Sequence, residues 1–150
     1  MDTITEPQTV PSCSEATLPL AKVPRILLVD DIPDVALSLA MLLRLHGYEV
    51  NVAHTGYQGL AAALAFRPDV AILDLGLPEL NGWQLASRLR DLAGKECPIL
   101  IALSGYGTEQ DRRRSADAGF DFHFVKTIPI DAILAVLSEV TRPLPNDTGG

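Results

Sequence analysis

The sequence predicts an α/β fold in which five parallel strands alternate with five helices in a single domain. Strand-like and helix-like patterns alternate five times along the chain. Three strand segments are continuously apolar, which is typical of strands covered by helices on both faces. Two others alternate polar with apolar residues, as strands at sheet edges do. The chain has 150 residues, 47% of them hydrophobic, which is enough for one domain with a substantial core.

The strand candidates are short runs rich in apolar residues. The continuously apolar ones are Arg25–Val29, Val70–Leu73 and Ile99–Leu103, and the alternating ones are Glu49–Ala53 and Asp121–Val125. Because the alternating strands suit the two edges, we expect the strand order 2-1-3-4-5. This is the order of the flavodoxin-like, doubly wound (βα)5 fold with a parallel five-stranded sheet.

The helices are indicated by apolar residues at helical spacing and by signals at their ends. The first opens at Pro33 and ends at Gly47, and its predicted buried face consists of Val35, Leu39, Leu42 and Leu43. The second is expected over about Tyr57–Phe66, before Pro68. The third is expected to bury Leu85, Leu89 and Leu92. The fifth, from about Ile130 to Val140, is expected to bury Ile130, Ile133, Leu134 and Leu137.

The fourth helix has an unusual composition. Thr108 and Asp111 predict its start and Gly119 its end. Between them there is no Leu, Ile, Val, Phe or Met, so Ala116 and Ala118 are expected to supply its packing. A fully buried leucine contributes about 1.5–3 kcal/mol, and alanine contributes far less. We therefore expect this helix to be the least firmly anchored.

The ends of the chain and its overall charge limit the possible functions. Residues 1–24 and 142–150 are predicted to be a flexible leader and a flexible tail around a domain at 25–141. The net charge of −7 and pI near 4.8 disfavour direct binding of nucleic acid. The apolar runs are shorter than the ~20 residues of a membrane span. Cys13 and Cys97 form no recognisable disulfide or metal pattern, which favours a cytoplasmic location.

Polar residues follow four of the five predicted strands. Asp30 and Asp31 come after the first, Asp74 after the third, Ser104 after the fourth and Lys126 after the fifth. In a parallel sheet these positions share one edge, and ligands bind there near the point where strand order reverses. We therefore expect the five side chains to converge.

This set of groups suggests a particular chemistry. Three neighbouring carboxylates repel one another unless a cation lies among them, and oxygen ligands without His or Cys suit a hard ion such as Mg2+ or Mn2+. Lysine adds a positive charge and serine a hydrogen-bond donor. Together these groups can stabilise a transferring phosphoryl group, and a carboxylate can act as the nucleophile. The residues therefore predict phosphoryl transfer onto an aspartate.

Four segments also resemble the response regulator receiver (CheY-like) family of two-component signalling. They are ILLVDD, DVAILDLGLPELNGW, ILIALSGYG and AGFDFHFVK, in this order and at suitable spacing. The resemblance extends from about Pro24 to Thr141 and is greatest to receivers of hybrid histidine kinases. It implies a phosphorylation switch rather than a turnover enzyme, which takes a phosphoryl group from the phosphohistidine of a histidine kinase or phosphotransfer protein. No effector domain is expected after the short tail, so output is expected through protein contacts, with a possible homodimer through the fourth helix, fifth strand and fifth helix.

The resemblance implies a role for each site residue. Asp74 is expected to be the phosphoacceptor. Asp31, Asp74 and the Gly76 backbone carbonyl are expected to bind the metal, with Asp30 acting through metal-bound water. Lys126 and Ser104 are expected to bind the phosphoryl group. The expected switch residues are Ser104 and His123, the latter at the position of the family's switch aromatic residue.

Three positions depart from the family pattern. His123 is smaller than Tyr or Phe and can be charged, and Ile32 and Thr127 leave alternatives open. Ile32 stands where relatives commonly carry a polar residue. Thr127 replaces the proline that usually follows the lysine, often through a cis peptide, and a cis bond before threonine costs about 2.5–4 kcal/mol. One alternative is a receiver-like binding module that is not phosphorylated. The other is an aspartate-nucleophile phosphatase of the haloacid dehalogenase type, although such enzymes usually carry a second acid where this chain has Gly76.

Three further interpretations concern residues outside the strand ends. Trp83 is expected to pack against the sheet. The run Arg112–Arg114 is read as a solvent-exposed helix face, and His46 and His54 are read as surface residues.

Overall fold

The structure, a computed structural model, describes residues 23–105, 107–126 and 129–141. Most of the predicted leader, the predicted tail and Thr127 with its preceding peptide bond lie outside these residues. None of the helices in the described part of the chain has both the length and the apolar composition that a membrane span requires.

Within the described residues, five parallel strands form one sheet in the predicted order. They are β1 (Arg25–Val29), β2 (Glu49–Ala53), β3 (Val70–Asp74), β4 (Ile99–Ser104) and β5 (Phe122–Val125). Their spatial order is β2-β1-β3-β4-β5, and every neighbouring pair is parallel. The prediction of the sheet and of its two edge strands is confirmed. β3 and β4 each continue one residue further than predicted, so that Asp74 and Ser104 are the last residues of their strands.

In the part of the chain that the structure describes, five α-helices connect or follow these strands. They are α1 (Pro33–Leu45), α2 (Gly56–Phe66), α3 (Gly82–Ala93), α4 (Glu109–Ala118) and α5 (Ile130–Thr141), with a short 3-10 turn at Gly94–Glu96. Side-chain caps define three of the helix starts, because Thr55, Asn81 and Thr108 each accept a hydrogen bond from a backbone N–H in the first turn. Gly47 and Gly119 follow their helices with φ of +94° and +99°, a conformation that favours glycine.

The helices cover both faces of the sheet and create two hydrophobic clusters. One lies between the sheet and α2 and α3, and its large members include Leu27, Leu73, Leu85 and Leu89. The other lies between the sheet and α1 and α5, and its large members include Ile26, Ile72, Leu43 and Leu137. Alternate residues of β1 and β3 enter opposite clusters, which explains their continuous hydrophobicity in the sequence.

The predicted buried face of α1 is partly wrong. The residues that face the sheet are Ala36, Ala40 and Leu43, at the spacing of one helical stripe. Val35 and Leu42 are 43% and 39% exposed, because the two alanines and Leu43 take the position against the sheet. Leu92 of α3 is likewise exposed rather than buried, whereas the predicted inward residues of α5 are buried or half-buried.

The packing of α4 also differs from the prediction. Its buried side chain is Ser115, which is 1% exposed and accepts a hydrogen bond of 3.0 Å from Nε1 of Trp83. Ala116 is exposed, and Ala118 is half-buried. The guanidinium of Arg114 lies 4.0 Å from the centroid of the Trp83 ring. Trp83 thus packs against the core cluster and also joins α3 to α4. Arg114, which was predicted to be part of a solvent-exposed helix face, also contacts the Trp83 ring.

The start of α3 lies directly against the end of β3. A Cβ atom at Gly82 would lie 2.6 Å from the Asp74 carbonyl oxygen and 2.8 Å from the Leu75 Cα. Both neighbours are backbone atoms, so a larger residue could be accommodated only if the chain moved. Glycine at this position therefore allows the close approach that fixes Asp74 relative to α3.

Candidate functional site

The carboxyl ends of β1 and β3 bring three acidic side chains together. Asp30 and Asp31 follow β1, and Asp74 ends β3, the neighbouring strand. One carboxylate oxygen from each of the three lies within 4.8 Å of the others. Asp30 and Asp74 are buried and Asp31 is exposed, so the group is open to solvent on one side. The predicted convergence is present for these three carboxylates.

Lys126 follows β5, and its ammonium contacts two of the three carboxylates. Its Nζ lies 3.1 Å from Asp74 Oδ2 and 3.3 Å from Asp30 Oδ2. Its backbone N–H donates to the Ser104 carbonyl at 2.8 Å, which fixes the residue to the end of β4. Burial by itself would lower the pKa of Lys126, but hydrogen bonds and charges from Asp74 and Asp30 outweigh burial and raise the pKa. The ammonium is therefore held charged between two carboxylates.

Asp30 is the most buried of the acids, at 1% exposure. Its Oδ1 accepts the backbone N–H of Ile32 at 2.9 Å. Burial raises the pKa of Asp30 and the charge of Asp74 adds to the rise, against the opposing effects of the Ile32 N–H and Lys126. Its carbonyl oxygen lies 3.1 Å from Nδ1 of His54, so His54, read from sequence as a surface residue, is half-buried and supports the Asp30 backbone.

The two oxygens of Asp74 have different neighbours. Oδ1 accepts the backbone N–H of Gly76 at 3.0 Å, and Oδ2 faces Lys126. The residue is 5% exposed, yet the neighbouring Gly76 is exposed. A carboxylate fixed at both oxygens beside an open rim is suited to react with a group that arrives from solvent.

The charges and donor atoms fit a hard divalent cation. Three carboxylates face one ammonium, which leaves two formal negative charges to be balanced. The clustered ligands are all oxygens, which Mg2+ and Mn2+ prefer. Asp30, Asp31 and Asp74 are the side chains that could hold such an ion.

Ser104 and His123 form a second polar contact beside this group. Ser104 is 5% exposed, and its Oγ lies 2.8 Å from Nε2 of His123. The other ring nitrogen, Nδ1, is buried and has no hydrogen-bond partner among the described residues. Burial lowers the pKa of His123 and the charge of Arg112 lowers it further, against the opposing effect of Asp111. The sequence identified both residues but not their hydrogen bond, which depends on side-chain orientation across two paired strands.

A protein-family model and several known proteins match this chain. The family model of the response regulator receiver domain matches residues 26–138. The chain is 34% identical over 120 residues to the DNA-binding dual master transcriptional regulator RpaA of Synechocystis, covering 79% of this chain and 49% of that protein. It is 37% identical over 117 residues to the transcriptional regulatory protein KdpE of Mycobacterium tuberculosis, covering 78% and 50%. The chain thus spans about half the length of these relatives.

Solved structures show the same fold. A CheY-like receiver domain protein of Methanospirillum hungatei superposes with a TM-score of 0.73 at 29% identity, covering 79% of this chain and 93% of that one. The BeF3-activated receiver domain of Klebsiella pneumoniae RstA superposes with a TM-score of 0.73 at 26% identity, covering 79% and 99%.

Proposed function

The chain belongs to the response regulator receiver domain family of two-component signalling, and on this premise we propose that Asp74 is its phosphoacceptor. The observation that supports this role most directly is the position of Lys126. Its ammonium lies within 3.3 Å of both Asp30 and Asp74, beside an exposed third carboxylate. Such an arrangement suits the binding and stabilisation of a phosphoryl group.

In the proposed reaction, an oxygen of Asp74 attacks the phosphorus of a phosphohistidine. The new oxygen–phosphorus bond forms as the nitrogen–phosphorus bond breaks, and the bonding electron pair returns to the histidine ring of the donor. Lys126 balances charge on the phosphoryl oxygens, and the Ser104 hydroxyl donates a hydrogen bond to one of them. A magnesium ion held by Asp31, Asp74, the Gly76 carbonyl and, through water, Asp30 would supply further charge neutralisation.

The partner that supplies the phosphoryl group is proposed to be a histidine kinase or phosphotransfer protein. A groove of about 420 Å³ lies beside Lys126, between α1 and α5. Its apolar lining includes Val35 and Leu42, which α1 exposes. Exposed apolar side chains next to a reactive site are suited to protein contact, and an apolar helix face of the donor fits such a groove.

Incubation with a small phosphodonor and Mg2+ tests the proposal. We expect one phosphoryl group per chain, stable to acid and labile to base, on the peptide that contains Asp74. EDTA is expected to suppress the adduct, because the negative charges at the site are then unbalanced. Continuous release of phosphate at a rate far above adduct decay would instead indicate a phosphatase, and no adduct would indicate a silent binding module.

We further propose that phosphorylation at Asp74 moves α4 relative to α3. Trp83 is the one tryptophan of the chain, and the contact of its indole N–H with Ser115 joins these helices. With beryllofluoride and Mg2+, we expect a change in Trp83 fluorescence and altered amide hydrogen exchange across 108–125. A Ser115→Ala variant should weaken the fluorescence response. Equal exchange with and without beryllofluoride would contradict the proposed movement.

A further inference from the structure

His123 and Ser104 meet beside the proposed phosphoryl site. Ser104 is the last residue of β4 and His123 lies within β5, the strand paired with it. Their side chains are joined at 2.8 Å, within the range of a strong hydrogen bond between a ring nitrogen and a hydroxyl. In the proposed function, the Ser104 hydroxyl hydrogen-bonds to the phosphoryl group on Asp74. Whatever fixes the direction of this hydroxyl therefore affects the reaction at Asp74.

The unpartnered Nδ1 of His123 indicates which nitrogen carries the proton. A neutral imidazole has one N–H and one lone pair. Buried N–H groups are very rarely left without a partner, whereas an unpartnered acceptor is tolerated more often. Nδ1 is buried and has no partner within the described residues, so it is better suited to carry the lone pair. The proton then lies on Nε2, and His123 donates to Ser104 Oγ.

This direction of donation has a consequence for Ser104. When the Ser104 oxygen accepts a hydrogen bond from His123, the Ser104 O–H can donate its own hydrogen bond to another acceptor. A phosphoryl group on Asp74 presents oxygens that accept such a proton. In the opposite tautomer, Nε2 would be an acceptor, and the Ser104 O–H would donate its hydrogen bond to His123 rather than to the phosphoryl group.

We propose that His123 is a positioning residue for the phosphoryl group: its neutral imidazole directs the Ser104 hydroxyl toward Asp74, and this support is lost when the ring becomes protonated. The inference rests on the proposed role of Asp74. His123 does not touch the phosphoryl group and acts through Ser104.

The surroundings of His123 explain why protonation would release it. A second ring proton would sit on the buried Nδ1, where no described residue accepts it. From α4, the guanidinium of Arg112 reaches the His123 carbonyl at 3.4 Å and repels a charged ring, while Asp111 partly opposes this effect. Ser104, from β4, is an uncharged partner. The neutral ring is therefore favoured in this inward position, where Nε2 contacts Ser104.

The sign of the pH dependence follows from this arrangement. The pKa of His123 is lowered in the fold, so the ring stays neutral to a pH below its ordinary value of 6.5. As pH falls through that value, an outward-facing ring takes up a proton more readily than the inward-facing ring does. Acid therefore favours the outward ring, and the contact with Ser104 is present above this range and lost below it.

Two variants separate positioning from simple packing. His123→Gln keeps an amide N–H near the position of Nε2 but does not titrate, whereas His123→Phe keeps a ring and removes the donor. We expect the ratio of the wild-type to the His123→Gln phosphorylation rate to fall about tenfold when the pH is lowered from 8 to 5. A tenfold change corresponds to about 1.4 kcal/mol, which is the size of one hydrogen bond. The ratio cancels the pH dependence of the phosphodonor. The Phe variant should be slower than the Gln variant at every pH.

Nitrogen NMR of the wild-type ring gives a readout that does not depend on phosphorylation. We expect the Nε2–H tautomer at pH 8 and a transition to the charged ring below pH 6.5. The Nδ1–H tautomer, or a rate ratio that does not change with pH, would overturn the role of His123 while Asp74 remains the phosphoacceptor. Failure of the folded wild type to become phosphorylated would overturn the proposed function and this inference together.

Discussion

Replacement of Asp74 by asparagine is expected to abolish phosphorylation by small phosphodonors and by a phosphohistidine partner. The amide keeps the size of the carboxyl and can still accept the Gly76 N–H, but it has no anionic oxygen with which to attack phosphorus. The loss should exceed about 10³-fold, which is the scale expected when the reacting group itself is removed. Intact-protein mass spectrometry after incubation with phosphodonor and Mg2+ measures the result.

Asp91→Asn is a matched control for this change. Asp91 is an exposed carboxyl on α3, outside the acidic cluster, and its replacement should leave the rate unchanged. Beryllofluoride, which mimics an aspartyl phosphate, should alter Trp83 fluorescence in the control but not in Asp74→Asn. If the Asn variant still gives the acid-stable, base-labile adduct, another residue is the acceptor.

Replacement of Lys126 by methionine is expected to slow phosphorylation about 10²–10³-fold, the loss that follows removal of one group that stabilises developing charge. Methionine fills a similar length but cannot neutralise the phosphoryl oxygens. Stopped-flow fluorescence of Trp83 with a small phosphodonor measures the rate. Lys95→Met, at an exposed lysine of the 3-10 turn, should behave like the wild type. Equal rates in the two methionine variants would remove Lys126 from the proposed site.

The same variant also tests the charge balance of the site. Without Lys126, the buried carboxylates of Asp30 and Asp74 lose their ammonium partner. In EDTA we expect a loss of about 2 kcal/mol in the free energy of unfolding, below the 3–5 kcal/mol of a fully buried pair because the lysine is partly exposed. Added Mg2+ should restore much of this loss, as measured by urea unfolding. A variant as stable as the wild type in EDTA would show that the ion pairs contribute little.

The sheet and the position of the site residues could be predicted from the sequence because both follow from simple periodicities. Continuous apolar runs identified β1, β3 and β4 as central strands, and alternation identified β2 and β5 as edges. Parallel strands end at one edge of the sheet, so the residues after them had to come together there. The proximity of the Asp30, Asp31, Asp74 and Lys126 side chains could therefore be predicted without coordinates.

The contacts that were missed depend on distances between elements that no local pattern encodes. Whether α1 turns Ala36 or Val35 to the sheet depends on how closely the helix approaches. The bond between Trp83 and Ser115 requires a particular placement of α3 beside α4. The bond between Ser104 and His123 requires two rotamers to agree across adjacent strands. Each of these contacts is set by tertiary packing, because the sequence pattern is equally compatible with other arrangements.

The close approach at Gly82 has a consequence for how the domain can transmit a signal. Because the first residue of α3 packs on the backbone of Asp74 with no room for a Cβ, Asp74 and this end of the helix are held rigidly together. If Asp74 takes up a phosphoryl group as proposed, we expect little displacement on the α3 side. We expect the movement on the opposite side, where Ser104 and Lys126 hold their partners through side-chain contacts that can change.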